Sequence, residues 1–136
     1  MQGNANAAML IGRILMCLLF VLGGWGKLMG PAAAQAMFAK QGLPLVEAAW
    51  ILAVLVELGG GLAILLGLFT RPVAVVLALW CVATALIAHT NLADRAQEVQ
   101  FLKNMGLTGG LLYIAAFGAG AWSLDAIRLR GRRITA

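Results

Sequence analysis

A carboxylate set in the middle of an apolar run needs a physical account, and Glu57 is one, inside the stretch VELGGGLAILLGLF. It lies ten residues after Glu47 and twelve before Phe69. On a helix rising 1.5 Å per residue those separations are about 15 and 18 Å. A side chain so far from either end cannot snorkel to water. It must face other helices and be protonated, paired or hydrated, and it marks a functional site unless it forms a structural ion pair. Helical side chains lean toward their own N-terminus. Lys27, near the end of the preceding apolar run, therefore leans back toward Glu57. His89 ends the third apolar run and leans the same way, while Lys103 and Asn104 open the fourth on the same side. Lys27, Glu57, His89 and Asn104 are expected to line one polar pocket in the outer half of a membrane-embedded bundle. Each also has a plainer reading: Lys27 and His89 as residues of the membrane–water interface, and Glu57 as half of an ion pair. Arg13 is a second cation able to approach Glu57. Its lean is in the opposite direction, and it is read as a structural residue that snorkels to the nearer surface. Asp125 is read as the cap of a short helix that carries the basic tail.

Other chemistry is poorly supplied. A single histidine rules out a bis-histidine haem within one chain and argues against an all-protein zinc site. There is no Walker loop, no GxGxxG between a strand and a helix, and no nucleophile beside its own base. Cys17 and Cys81 lie in apolar runs with no CxxC pairing. The residues alone imply no cofactor and no metal.

The elements that hold these residues are helices. Apolar residues make up 62% of the 136 and charged residues 11%, against about 45–50% and 25% in soluble domains. A chain of this length cannot hide so much apolar surface from water, so its solvent is the lipid bilayer. A membrane-spanning helix needs about 20 apolar residues, and four continuous runs come close: about 8–28, 46–69, 72–89 and 105–122. The fold class is all-α: one transmembrane domain, a four-helix bundle with short connections between antiparallel neighbours. Gly30-Pro31, Gly42-Leu43-Pro44 and Thr70-Arg71-Pro72 punctuate the runs. The segment PAAAQAMFAKQ between the first two reads as a short interfacial helix, with Met37 and Phe38 dipping in. HTNLADRAQEVQFLKN must lie largely outside the hydrocarbon. Met1 to Gly12 carries no cation, so the first run is read as a retained span rather than a cleaved signal peptide. Four of the ten cations, Arg128, Arg130, Arg132 and Arg133, crowd the tail 123–136. They are read as topology determinants that hold both termini in the cytoplasm of a bacterium, at its inner membrane, and not as a nucleic-acid site. Helices in lipid pack through small residues, and Gly24, Gly60, Gly67, Gly106 and Gly110 are expected to be close-packing positions. Trp25, Trp50 and Trp122 suit the interfacial aromatic belt, and Trp80, mid-span, is read as packing.

In order and spacing, Arg13, LMCLLFVLGGWGKL, Gly42-Leu43-Pro44, VELGGGLAILLGLFTRP, His89 and FLKNMGLTGGLLYIAAFGAGAWSLDA resemble the DoxX family over nearly the whole chain. That family comprises small four-helix bacterial membrane proteins. Some are small subunits of a terminal quinol oxidase or a thiosulfate:quinone oxidoreductase, and others are linked to oxidative stress or to resistance to quinones and catechols. The motif positions carried over are Arg13, Gly24, Lys27, Glu57, Gly60, Gly67, His89, Asn104, Gly110 and Asp125. The resemblance implies an accessory, non-catalytic subunit of a membrane redox system, with a quinone or a small phenolic or sulfur compound contacting the pocket and a membrane-bound or soluble redox partner. Two other functions stay open. One is a small-solute or proton-coupled transporter, which would need a homo-oligomer to make a path. The other is a structural or assembly partner of a membrane complex.

Overall fold

The structure is a computed structural model that describes residues 2–134, with side chains placed for residues 3–131. The tail cations Arg132 and Arg133 lie outside the described side chains. The chain is all-α. Helix α1 covers Gln2–Met29 and α2 covers Pro31–Lys40. Helix α3 covers Val46–Leu66 and α4 covers Thr70–Ala88. Helix α5 covers Arg95–Phe117 and α6 covers Leu124–Ile134. Among the described residues, α1, α3 and α4 are long and apolar enough to cross a membrane. Helix α5 is as long, but its first turns are polar.

Local chemistry sets the helix ends. Proline opens α2, where its missing N–H costs no hydrogen bond. Gly42, at φ 73°, closes α2 with paired bonds from Gly42 N to Ala39 O and from Leu43 N to Phe38 O. Gly67, at φ 67°, closes α3 the same way, with Gly67 N bonded to Ile64 O and Leu68 N to Ala63 O. The last helix of the bundle departs from expectation at both ends. It begins at Arg95 and not near Met105, because the Asp94 carboxylate accepts from Ala96 N at 2.9 Å and caps it there. It stops at Phe117 and not at Trp122, because Gly118 and Gly120 both take positive φ.

Helix α1 packs on α3, and α4 packs along α5 and on α3. Cys17, Phe20, Ile64, Leu77, Cys81 and Leu111 form the buried centre. Small residues allow the close approaches. An added Cβ at Gly24 would collide with the backbone of Leu58, at Gly60 it would lie 3.0 Å from the Leu77 side chain, and at Gly110 it would strike Met16. Gly106 does not follow. An added Cβ there would meet nothing within 4 Å. The buried side of α5 runs through Asn104 and Leu111, and Gly106 lies about 200° around the helix from Asn104.

The outward surface is apolar along every long helix, with Leu15, Leu22, Leu55, Leu79, Leu112 and Tyr113 all more than half exposed. Such a surface is stable in lipid and not in water.

Candidate functional site

Helix α3 is not uniform. Leu55–Gly59 forms one π-helical turn, one residue wider than its neighbours, and Glu57 sits in it. Such turns are rare and occur often at functional sites. Glycines 59, 60 and 61 follow, and Gly23 of α1 lies opposite: an added Cβ at Gly23 would come within 3.1 Å of Glu57 Oε2. Gly23 thus leaves room for the carboxylate, while Gly60 and Gly61 let α3 approach Leu77 and α1.

Both carboxylate oxygens are engaged. Lys27 Nζ lies 2.6 Å from Glu57 Oε2, and the two side chains are 20% and 12% exposed. Trp80 Nε1 donates to Glu57 Oε1 at 3.1 Å. The indole of Trp50 donates to the backbone oxygen of Lys27 at 2.8 Å and so fixes the stretch of α1 that carries the lysine. Trp80 is therefore a polar partner and not only packing, and Trp50 is tied to protein. A buried indole N–H in lipid has no water to bond, so a mid-span tryptophan is itself a signal that an acceptor lies nearby.

These groups form one wall of a cavity of about 300 Å³. Lys27, Glu57, His89 and Asn104, the four residues singled out from the sequence, all line it, and Lys103 and Gln41 join them. Phe20, Met37 and Phe38 supply an apolar side. Helix α2 closes part of the cavity through Met37 and the buried Phe38. Asn104 is buried, and its amide nitrogen donates to Gln100 O at 3.1 Å, one turn back in its own helix. His89 is half-buried at the end of α4.

The opposite end of the bundle is built differently. Arg13 neither snorkels nor approaches Glu57. It is 2% exposed, and its guanidinium donates to Ile64 O at 3.3 Å, to Leu65 O at 3.2 Å and to Trp122 O. The first two lie at the end of α3, where Leu65 O has no amide of its own helix to meet it and Ile64 O shares Arg13 with Gly67 N. The lean expected of a helical side chain is overridden by three acceptors from two other segments. Gly67 makes room here as well, since a Cβ there would strike both Ser123 and Arg13. Asp125 does not cap its own helix, a task that falls to Ser123 Oγ, 3.2 Å from Ala126 N. The carboxylate reaches back 55 residues and accepts from Phe69 N at 2.9 Å, Thr70 N at 2.8 Å and Thr70 Oγ1 at 2.7 Å. It caps α4 and holds Phe69 at its left-handed φ of 47°. Burial pushes the Asp125 carboxyl up, but the hydrogen bonds from Thr70 and Phe69, with Arg128 nearby, outweigh it and hold the group below the ordinary carboxylate range.

Among the described residues, no three His, Cys, Asp or Glu side chains come together as metal ligands. The cavity offers instead two ammonium groups, a carboxylate, an imidazole and two carboxamides around a small apolar space.

The DoxX family pattern matches residues 8–90, which takes in Arg13, Lys27, Glu57 and His89. The chain belongs to the DoxX family. It is 39% identical over 125 residues to inner membrane protein YqjF of Escherichia coli K12, covering 92% of this chain and 95% of that one. It is 37% identical over 122 residues to inner membrane protein YphA of the same organism, covering 86% of this chain and 87% of that one. No solved structure matches it. With its family and its lipid-facing surface in place, this DoxX-family chain is a membrane protein with a polar cavity walled by the Lys27–Glu57 pair.

Proposed function

We propose that this DoxX-family protein binds the ring of a quinone or a related small phenolic compound in the Lys27–Glu57 cavity, as an accessory component of a membrane redox system. The observation that carries the reading is the shape of the network. Lys27 and Trp80 both donate to Glu57 on the wall of an open space and not across a filled core. The space is at the small end of ligand pockets. It suits one flat ring: Phe20, Met37 and Phe38 on its faces, and Lys27, His89 and Asn104 within reach of oxygens at its edge. The chain supplies binding and orientation, and the electrons come from a membrane-bound or soluble partner. The names of the two relatives support placing it in a bacterial inner membrane. The alternating run of α1, α3, α4 and α5 supports α5 as the fourth span, α2 as an interfacial helix, and both termini on the cytoplasmic side with the basic tail.

The transporter reading is less well supported. The centre of the bundle is filled by the buried side chains of Cys17, Ile64, Leu77 and Leu111, which favours a binding site over a path.

The test is binding of a short-chain benzoquinone to purified protein, followed through the fluorescence of Trp80. Saturable quenching is expected, lost in Trp80→Phe and weakened about two- to tenfold in His89→Ala, the effect of one lost hydrogen bond. Quenching that never saturates would contradict the reading.

A further inference from the structure

The second concavity of the molecule lies at the Arg13 end, where α4 begins and α6 leaves the bundle. It is an open groove of about 780 Å³ lined by Arg71, Arg128 and Arg130, with the glycine-containing backbone of residues 117–121 as its floor. The only carboxylate in its lining, Asp125, already accepts three hydrogen bonds from the start of α4. Among the described residues, the groove therefore holds an excess of two positive charges with no further anion in its lining. Two of its cations have defined placements. The Arg71 guanidinium lies against Gly118, within 3.5 Å of where a Cβ would stand, and Arg128 lies 4.4 Å over the ring of Phe69. Around this charge the surface is apolar: Phe69, Phe117, Ile127 and Leu129 are all more than half exposed. Helix α6 thus presents isoleucine and leucine side chains beside arginines, the composition of a helix lying in a membrane interface.

We infer that this groove binds the phosphate of an acidic phospholipid, with the acyl chains running down the exposed apolar faces of α4 and α5. Both parts of the surface fit one molecule. Three guanidiniums match a phosphodiester, because each presents paired donors to its oxygens. Exposed apolar side chains stand among and beyond the charges: Phe69 and Leu129 at the groove, then Val76 and Leu79 along α4 and Tyr113 and Phe117 along α5. A soluble phosphate would use only the first part.

The experiment is native mass spectrometry of the full-length protein in detergent, with phosphatidylglycerol and phosphatidylcholine supplied in equal amount. A basic residue at a membrane surface is worth about fivefold in acidic-lipid binding before screening. One phosphatidylglycerol is expected to be retained with a preference of about tenfold or more. The triple variant Arg71→Gln, Arg128→Gln, Arg130→Gln loses that preference. The tail variant Arg132→Gln, Arg133→Gln keeps it to within about threefold. Should the triple variant fail to accumulate, the single variants Arg71→Gln and Arg130→Gln each lower the preference instead. Equal retention of the two lipids overturns the inference. So does a tail variant as defective as the groove variant, which would reduce the effect to diffuse charge. Displacement of the lipid by inorganic phosphate at the same concentration overturns the choice of a lipid as ligand.

Discussion

The two ends of the bundle use the same side-chain types for opposite purposes. At one end, Arg13 and Asp125 spend their hydrogen bonds on helix termini. The arginine donates to carbonyls at the end of α3 and the carboxylate accepts from amides at the start of α4. At the other end, Lys27 and Glu57 bond to each other and to an indole, satisfy no helix terminus, and border a cavity. The first arrangement is what a buried charge does when the backbone needs it. The second leaves charges available to something that is not the protein. A buried ion pair is weak evidence for stability, so the cavity end is where function is sought.

Substitutions separate the ends. The largest effect is expected at Arg13. Arg13→Met removes three hydrogen bonds and leaves the Leu65 and Trp122 carbonyls without a donor, and hydrogen bonds to charged groups are worth about 1.5–3 kcal/mol each. A loss of about 3 kcal/mol or more in detergent unfolding is expected, with quinone affinity unchanged in the folded fraction. Gly67→Ala comes next. It places a side chain at positive φ against Ser123 and Arg13 and should cost about 2 kcal/mol or more. A weaker, pH-dependent effect belongs to Asp125. Its folded value is lowered, so its contribution is complete above the unfolded value of about 3.9 and disappears as pH falls through the lower folded value. Melting temperature should drop more steeply below about pH 4 in the intact protein than in Asp125→Asn. If these three variants altered ligand binding and left stability alone, the contrast between the ends would be reversed.

The sequence made part of this contrast legible. Continuous apolar runs and Gly-Pro punctuation located the helices. The lean of side chains on antiparallel helices brought Lys27, Glu57, His89 and Asn104 to one place, where the structure lines a cavity with them. What escaped has identifiable causes. The π turn at Leu55–Gly59 is a one-residue change in hydrogen bonding with no compositional mark. Asp125 and Arg13 find partners more than 50 residues away, where local lean and capping rules do not reach. Trp80 was readable in principle, since its N–H needed an acceptor in lipid. The early start of α5 was also readable, from Asp94 before a helix-forming run.

The account rests on Lys27 and Glu57 forming a site rather than a strut, and a double-mutant cycle decides between the two. Unfolding free energy and benzoquinone affinity are measured together for Lys27→Met, Glu57→Gln and the double variant. Each single variant is expected to lose stability, because it strands a partner. The double variant should recover most of that loss and still bind quinone at least about tenfold more weakly than the intact protein. A double variant that regains both stability and affinity would make the pair structural and contradict the proposed site.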